Sequence, residues 1–151
     1  MKKLKEFTAD TRQKLTGLWT TLMLLYIYCD IYSTFRPGHL EEAMAGRMGP
    51  FEVGQGSLAI MGALMIPAAL MVAVSLFAKA RVARLAGIIV GAIYTCVNVA
   101  NLIGEAWVYY WIYGVLELGL TIIIIIVAAR WPKEEKEEVG SGYRGDGAVQ
   151  G

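Results

Sequence analysis

The sequence has little with which to do solution chemistry. Its 151 residues include one histidine and two cysteines, so haem held by two histidines is excluded by count, and no C-x-x-C pair suggests zinc or a disulfide framework. Ser-His-Asp sets, phosphate-binding glycine loops and HExxH are also missing. Cys29 and Cys96 lie in apolar runs, off the polar stripes described below, and read as small buried apolar residues. His39, with Glu41 and Glu42 nearby, is too sparse for a metal site, and no cofactor is expected. Net charge is +1 from 14 basic and 13 acidic residues. These are spread over the ends and turns rather than gathered in a patch, which gives a nucleic acid no footing.

Charge is nearly absent from four long stretches, and that sets the class. A hydrophobic fraction of 56% and mean hydropathy of +0.50 exceed what soluble domains show. A bilayer core of ~30 Å needs roughly 20 apolar residues in a helix. Spans are expected at about 15–35, 58–78, 85–103 and 106–129, an all-α bundle of four transmembrane helices occupying residues 1–132. Glu6, Asp10, Arg12 and Lys14 precede the first apolar run, and no small-residue cleavage site follows it, so the first span is expected to stay attached. The tail, 133–151, is a charge run and then a glycine-rich end, and is expected to be a disordered cytoplasmic segment.

Orientation follows from lysine and arginine counts. Lys2, Lys3, Lys5, Arg12, Lys14, Lys79, Arg81, Arg84, Arg130, Lys133 and Lys136 fall on one side, Arg36 and Arg47 on the other. A multi-pass protein of a bacterial inner membrane is expected, with both termini cytoplasmic. Trp19, Trp107, Tyr109, Tyr110, Trp111, Tyr113 and Trp131 have the spacing of interfacial belts. The stretch from Pro37 to Gln55 is too polar to span and reads as an outer loop with a short helix at Leu40 to Ala45. Met61, Met65 and Met71 read as packing filler.

At 100° per residue the polar residues of three spans share faces. In the third, Gly87, Gly91, Tyr94, Asn98, Asn101 and Glu105 fall within about 80° of one another. In the first, Trp19, Met23, Tyr26, Asp30, Ser33 and Thr34 form a stripe, and in the fourth Tyr110, Tyr113, Glu117 and Thr121 do. A rise of ~1.5 Å per residue puts Asp30 ~24 Å above Lys14, Asn98 ~21 Å above Arg84 and Glu117 ~20 Å from Arg130. The three share one layer, in the outer half. A bundle closely packed below, where Gly87 and Gly91 let backbones approach, and open above is expected.

An acid inside a span is costly when charged and is kept when it is paired, protonated or facing water. Arg36 is the nearest cation in sequence to Asp30, yet lies about 120° round the helix from it and is expected to snorkel to the headgroups. Asp30 and Glu117 therefore either hold a proton or await a positive ligand. The expected ligand-binding set is Asp30, Glu117, Asn98, Asn101, Tyr26, Tyr113 and Glu105, taking a proton or a small cationic or polar solute. The same polar layer also fits an accessory or scaffold subunit in which it only specifies helix packing, or an enzyme acting on a lipid head group with the acids as general acid and base. Besides the lipid bilayer, the partners such a small chain implies are further copies of itself or a larger membrane complex.

The Leu-Leu-Tyr-Ile-Tyr-Cys-Asp run ending at Asp30, the amide-bearing third span and the Tyr-Gly-Val-Leu-Glu of the fourth resemble a family of small bacterial four-span membrane proteins of unknown function. The likeness runs from about Leu18 to Trp131. It implies the four-helix architecture and the same acid positions. In architecture the chain is also loosely similar to DoxX-type proteins.

Overall fold

The computed structural model describes residues 8–48 and 51–132; the tail at 133–151 lies outside the described residues. Helix α1 (Thr11–Thr34) starts four residues before the apolar run because Asp10 builds a capping box, its carboxylate accepting from the Gln13 N–H at 2.8 Å while the Gln13 side chain accepts from the Asp10 N–H at 3.1 Å. A short helix, α2 (His39–Met44), follows a turn at Gly38, whose φ of 81° is open to glycine and strained for other residues. A two-stranded ribbon comes next, β1 (Arg47–Met48) antiparallel to β2 (Phe51–Glu52), with Arg47 opposite Glu52. It was not foreseen, since two-residue strands leave no alternation to read. Helices α3 (Gln55–Phe77), α4 (Ala80–Leu102) and α5 (Val108–Ala129) complete the chain. All four long helices have the length and hydropathy to cross a bilayer, and the many large apolar side chains on their outer faces suit a lipid surround. The protein is an all-α membrane bundle of four spans.

The helices pack in the cyclic order α1, α3, α4, α5, so that α1 touches α3 and α5 while α4 touches the same two from the far side. The α4 and α5 backbones come closest. A Cβ at Gly87 would lie 3.1 Å from the Ala128 Cβ, and one at Gly91 would lie 2.9 Å from Ile125 Cγ1. Long aromatics reach across the diagonal between α1 and α4. Tyr94 meets Trp19 edge-on at 6.2 Å and stacks on Tyr26 at 6.3 Å.

The end of the bundle that carries the termini is closed. Leu15, Trp19, Leu22, Ile124 and Ala128 are buried there. Arg12 ties the elements together by donating to the Ser75, Leu76 and Ala78 carbonyls at 3.2, 3.1 and 2.7 Å. These are the carbonyls a helix C-terminus leaves unpaired. The same guanidinium lies 5.5 Å from the Trp131 ring centroid. Trp19, expected in an interfacial belt, is a fully buried core residue instead, because it lies on the same stripe as Leu15 and Leu22. Cys96, expected to be buried, is on the exposed face of α4.

The opposite, loop end is open on one side. Helix α3 buries Ala68, Met71 and Ser75 and nothing N-terminal to Ala68. Pro67 marks the change. It has no N–H for the carbonyl four residues back, and beside that turn the Tyr94 hydroxyl donates to the Leu64 carbonyl and accepts from the Ala68 N–H. Beyond it, Met65 still packs against the core, while Leu58 to Leu64 are exposed.

Candidate functional site

The loop half of the bundle encloses a polar cavity. It is walled by Tyr26, Cys29 and Asp30 of α1, Met65 of α3, Tyr94, Val97, Asn98 and Asn101 of α4, and Tyr110 and Glu117 of α5. The Tyr26 hydroxyl donates to Asn98 Oδ1 at 2.9 Å. Asn98 is 1% exposed and Glu117 7% exposed. Both nonetheless hold a buried polar atom with no partner among the described residues, Asn98 Nδ2 and Glu117 Oε1. Leaving such groups unpaired costs about 1–3 kcal/mol each, more when charged. Asp30 and Asn101 stand at the exposed edge of the same cavity.

The walls differ in tightness. Between α4 and α5, Leu102 fills the space over Gly114, where a Cβ would lie 2.5 Å from Leu102 Cδ2. Over α1 and α5, the Tyr109 hydroxyl is 2.9 Å from the Ser33 hydroxyl and accepts from Arg36 Nε. The cavity measures about 60 Å³, several times the roughly 10–15 Å³ one water needs and far below the ~300–1,000 Å³ of a site for a drug-sized ligand.

Five expected residues therefore meet: Asp30, Glu117, Asn98, Asn101 and Tyr26. Tyr113 does not join them. It packs on Tyr32 at 6.2 Å in a separate aromatic hollow with Phe35, Arg36, Trp107 and Tyr109, and Tyr110, one turn further from Glu117, takes its place. Glu105 is also elsewhere. Helix α4 ends at Leu102, and Glu105 sits beyond it, paired with Arg36 at 3.0 Å and accepting from the Ala106 and Trp107 N–H groups. Arg36 does not snorkel away. Its guanidinium lies 5.4 Å from the Trp107 ring centroid and 5.1 Å from those of Tyr109 and Tyr110, so these aromatics hold a cation. Cys29 is a wall residue that the helical wheel missed.

Burial alone would raise the Glu105 carboxyl pKa. The Trp107 N–H, the Arg36 guanidinium and the Ala106 N–H outweigh it and hold the group below the usual carboxylate range. Among the described residues, no cluster of three histidines, cysteines or acids is placed to hold a metal.

These features define a four-span membrane bundle with an acidic, hydrogen-bonding cavity in one half. The chain belongs to a family of unknown function, DUF6326, whose model matches residues 1–138. No curated protein and no solved structure matches it.

Proposed function

We propose that the bundle binds a proton or a small monovalent cation at Asp30 and Glu117, with Asn98, Asn101 and Tyr26 completing the site. The observation that carries this is the pair of buried, unpartnered atoms, Glu117 Oε1 and Asn98 Nδ2, in a cavity that also contains Asp30. A cation or a protonated water supplies the donor that Glu117 lacks, and a water beside it accepts from Asn98. The closed terminal end supports a reading as a binding site entered from one side. Passage across the bundle would require the Leu15, Trp19, Leu22 and Ile124 layer to part.

We further place the loop end outside the cell and both termini in the cytoplasm of a bacterial inner membrane. Both loop-end arginines face acids, Arg36 with Glu105 and Arg47 opposite Glu52. Lys14, Lys79, Arg81, Arg84 and Arg130 gather at the other end, as the positive-inside rule requires. The test of the site is infrared difference spectroscopy in lipid, comparing the wild-type chain with Asp30→Asn and Glu117→Gln. Carboxyl bands that respond to pH or to methylammonium and vanish in the variants support it. Bands indifferent to both would make the polar layer a device for helix packing, as in a scaffold subunit.

A further inference from the structure

The cavity has an apolar neighbour. Continuing the buried stripe of α3 outward from Ser75, Met71 and Ala68 at helical spacing gives Leu64, Met61 and Ser57. Above Pro67 these residues are exposed or half-buried rather than part of the core. With Ile60 and with Met48, Phe51 and Val53 of the ribbon segment, they wall an apolar hollow of about 270 Å³. Its size is close to the lower bound of roughly 300 Å³ for small-molecule sites.

The hollow and the acidic cavity touch α3 at successive residues, Leu64 lining one and Met65 the other. Tyr94 of the cavity wall also donates to the Leu64 carbonyl, so the two spaces adjoin at this turn of α3. One space offers two carboxyls and two amides, the other is apolar apart from Ser57 and Glu52 in its wall.

We infer that the ligand of this site is an amphiphilic primary amine, its ammonium head in the Asp30, Asn98 and Glu117 cavity and its apolar body in the hollow against Met61 and Leu64. The inference rests on the acidic cavity being a cation site and names the class of cation. Head size follows from the cavity, whose 60 Å³ admits an ammonium with a water and crowds a trimethylammonium. Charge follows from the acids, since a neutral alcohol of the same length leaves Glu117 without a cation. The body follows from the hollow, where an alkyl chain supplies the dispersion contacts that an empty apolar space lacks.

Binding of hexylammonium, methylammonium, hexyltrimethylammonium and hexanol to the full chain in nanodiscs tests this, with free ligand measured and the carboxyl bands as readout. Hexylammonium is expected to bind at least tenfold more tightly than methylammonium and hexyltrimethylammonium, with hexanol producing no shift. Met61→Trp, which fills the hollow, is expected to reduce hexylammonium binding to the level of methylammonium and leave methylammonium unchanged. Ile60→Trp serves where Met61→Trp does not fold. If hexylammonium and methylammonium bind equally, or if neither tryptophan variant affects hexylammonium, the inference is overturned and the small-cation reading stands. If no amine shifts a carboxyl band, the cation site itself is lost and the inference goes with it.

Discussion

Arg36 and Glu105 form a 3.0 Å ion pair at the loop end, joining the segment after α1 to the connection between α4 and α5. The pair is 18% and 14% exposed, and the arginine also donates to Tyr109 and lies against three aromatic rings. Arg36→Met is expected to lower stability in detergent by roughly 1–3 kcal/mol. Arg36→Lys should recover little of this, because an ammonium cannot reproduce the planar fork and stacking. Thermal unfolding of the two variants decides it. Equal Tm values for lysine and wild type would show that charge alone suffices.

The same pair predicts a pH dependence. The Glu105 carboxyl has a lower pKa in the folded chain than in the unfolded one. Its contribution is therefore fully present above the unfolded value and is lost as pH falls through the folded one. The Tm gap between wild type and Glu105→Gln should be constant near neutrality and close as pH falls below the usual carboxylate range. A gap unchanged on acidification would contradict the pairing.

Tyr26 and Asn98 give a second prediction. Tyr26→Phe removes the donor to Asn98 Oδ1 in a residue that already has an unpartnered Nδ2, and should cost about 1–3 kcal/mol. Replacing both partners by apolar groups, Tyr26→Phe with Asn98→Leu, should cost less than the sum of the single changes. A double-mutant cycle measured by unfolding supplies the coupling, and strict additivity would refute the contact.

The α4–α5 seam can be probed by adding single methyl groups. Gly91→Ala brings a Cβ to 2.9 Å from Ile125 Cγ1, which must shift, and a loss of roughly 1–3 kcal/mol is expected. Gly119→Ala meets nothing within 4 Å and should be neutral or gain up to about 1 kcal/mol from helix propensity. Similar losses at both positions would mean that close approach of the two backbones is not what Gly91 provides.

Much of this was legible in the sequence because spans are set by length and hydropathy. The four expected segments overlie α1, α3, α4 and α5, and a helix at Leu40 to Ala45 overlies His39–Met44. The bundle order was not legible, since nothing in four apolar runs says which pairs touch. Site residues were legible where one helical period held. The inner face of α1 runs through Leu15, Trp19, Leu22, Tyr26 and Cys29, alternating steps of four and three as helices packed at small angles do. A stripe drawn at 100° per residue drifts from that path onto Asp30 at the cavity edge and passes over Cys29. Glu105 was misplaced for a simpler reason. Extrapolating the wheel past Leu102 assumes a helix where Gly104, at φ 80°, turns the chain. Arg36 was misread because its partners lie in another loop, reached by chain reversal and invisible to spacing along one helix.

The change in burial along α3 at Pro67 has a consequence for supply. Above it, Met65 is the one α3 residue walling the acidic cavity, and Asp30 and Asn101 stand at the cavity's exposed edge. If the proposed site is entered at that edge, a ligand that dissolves in the bilayer reaches Asp30 by lateral diffusion within the leaflet. Occupancy then follows the amount partitioned into the membrane, so a compound scarce in the surrounding water can still saturate the site.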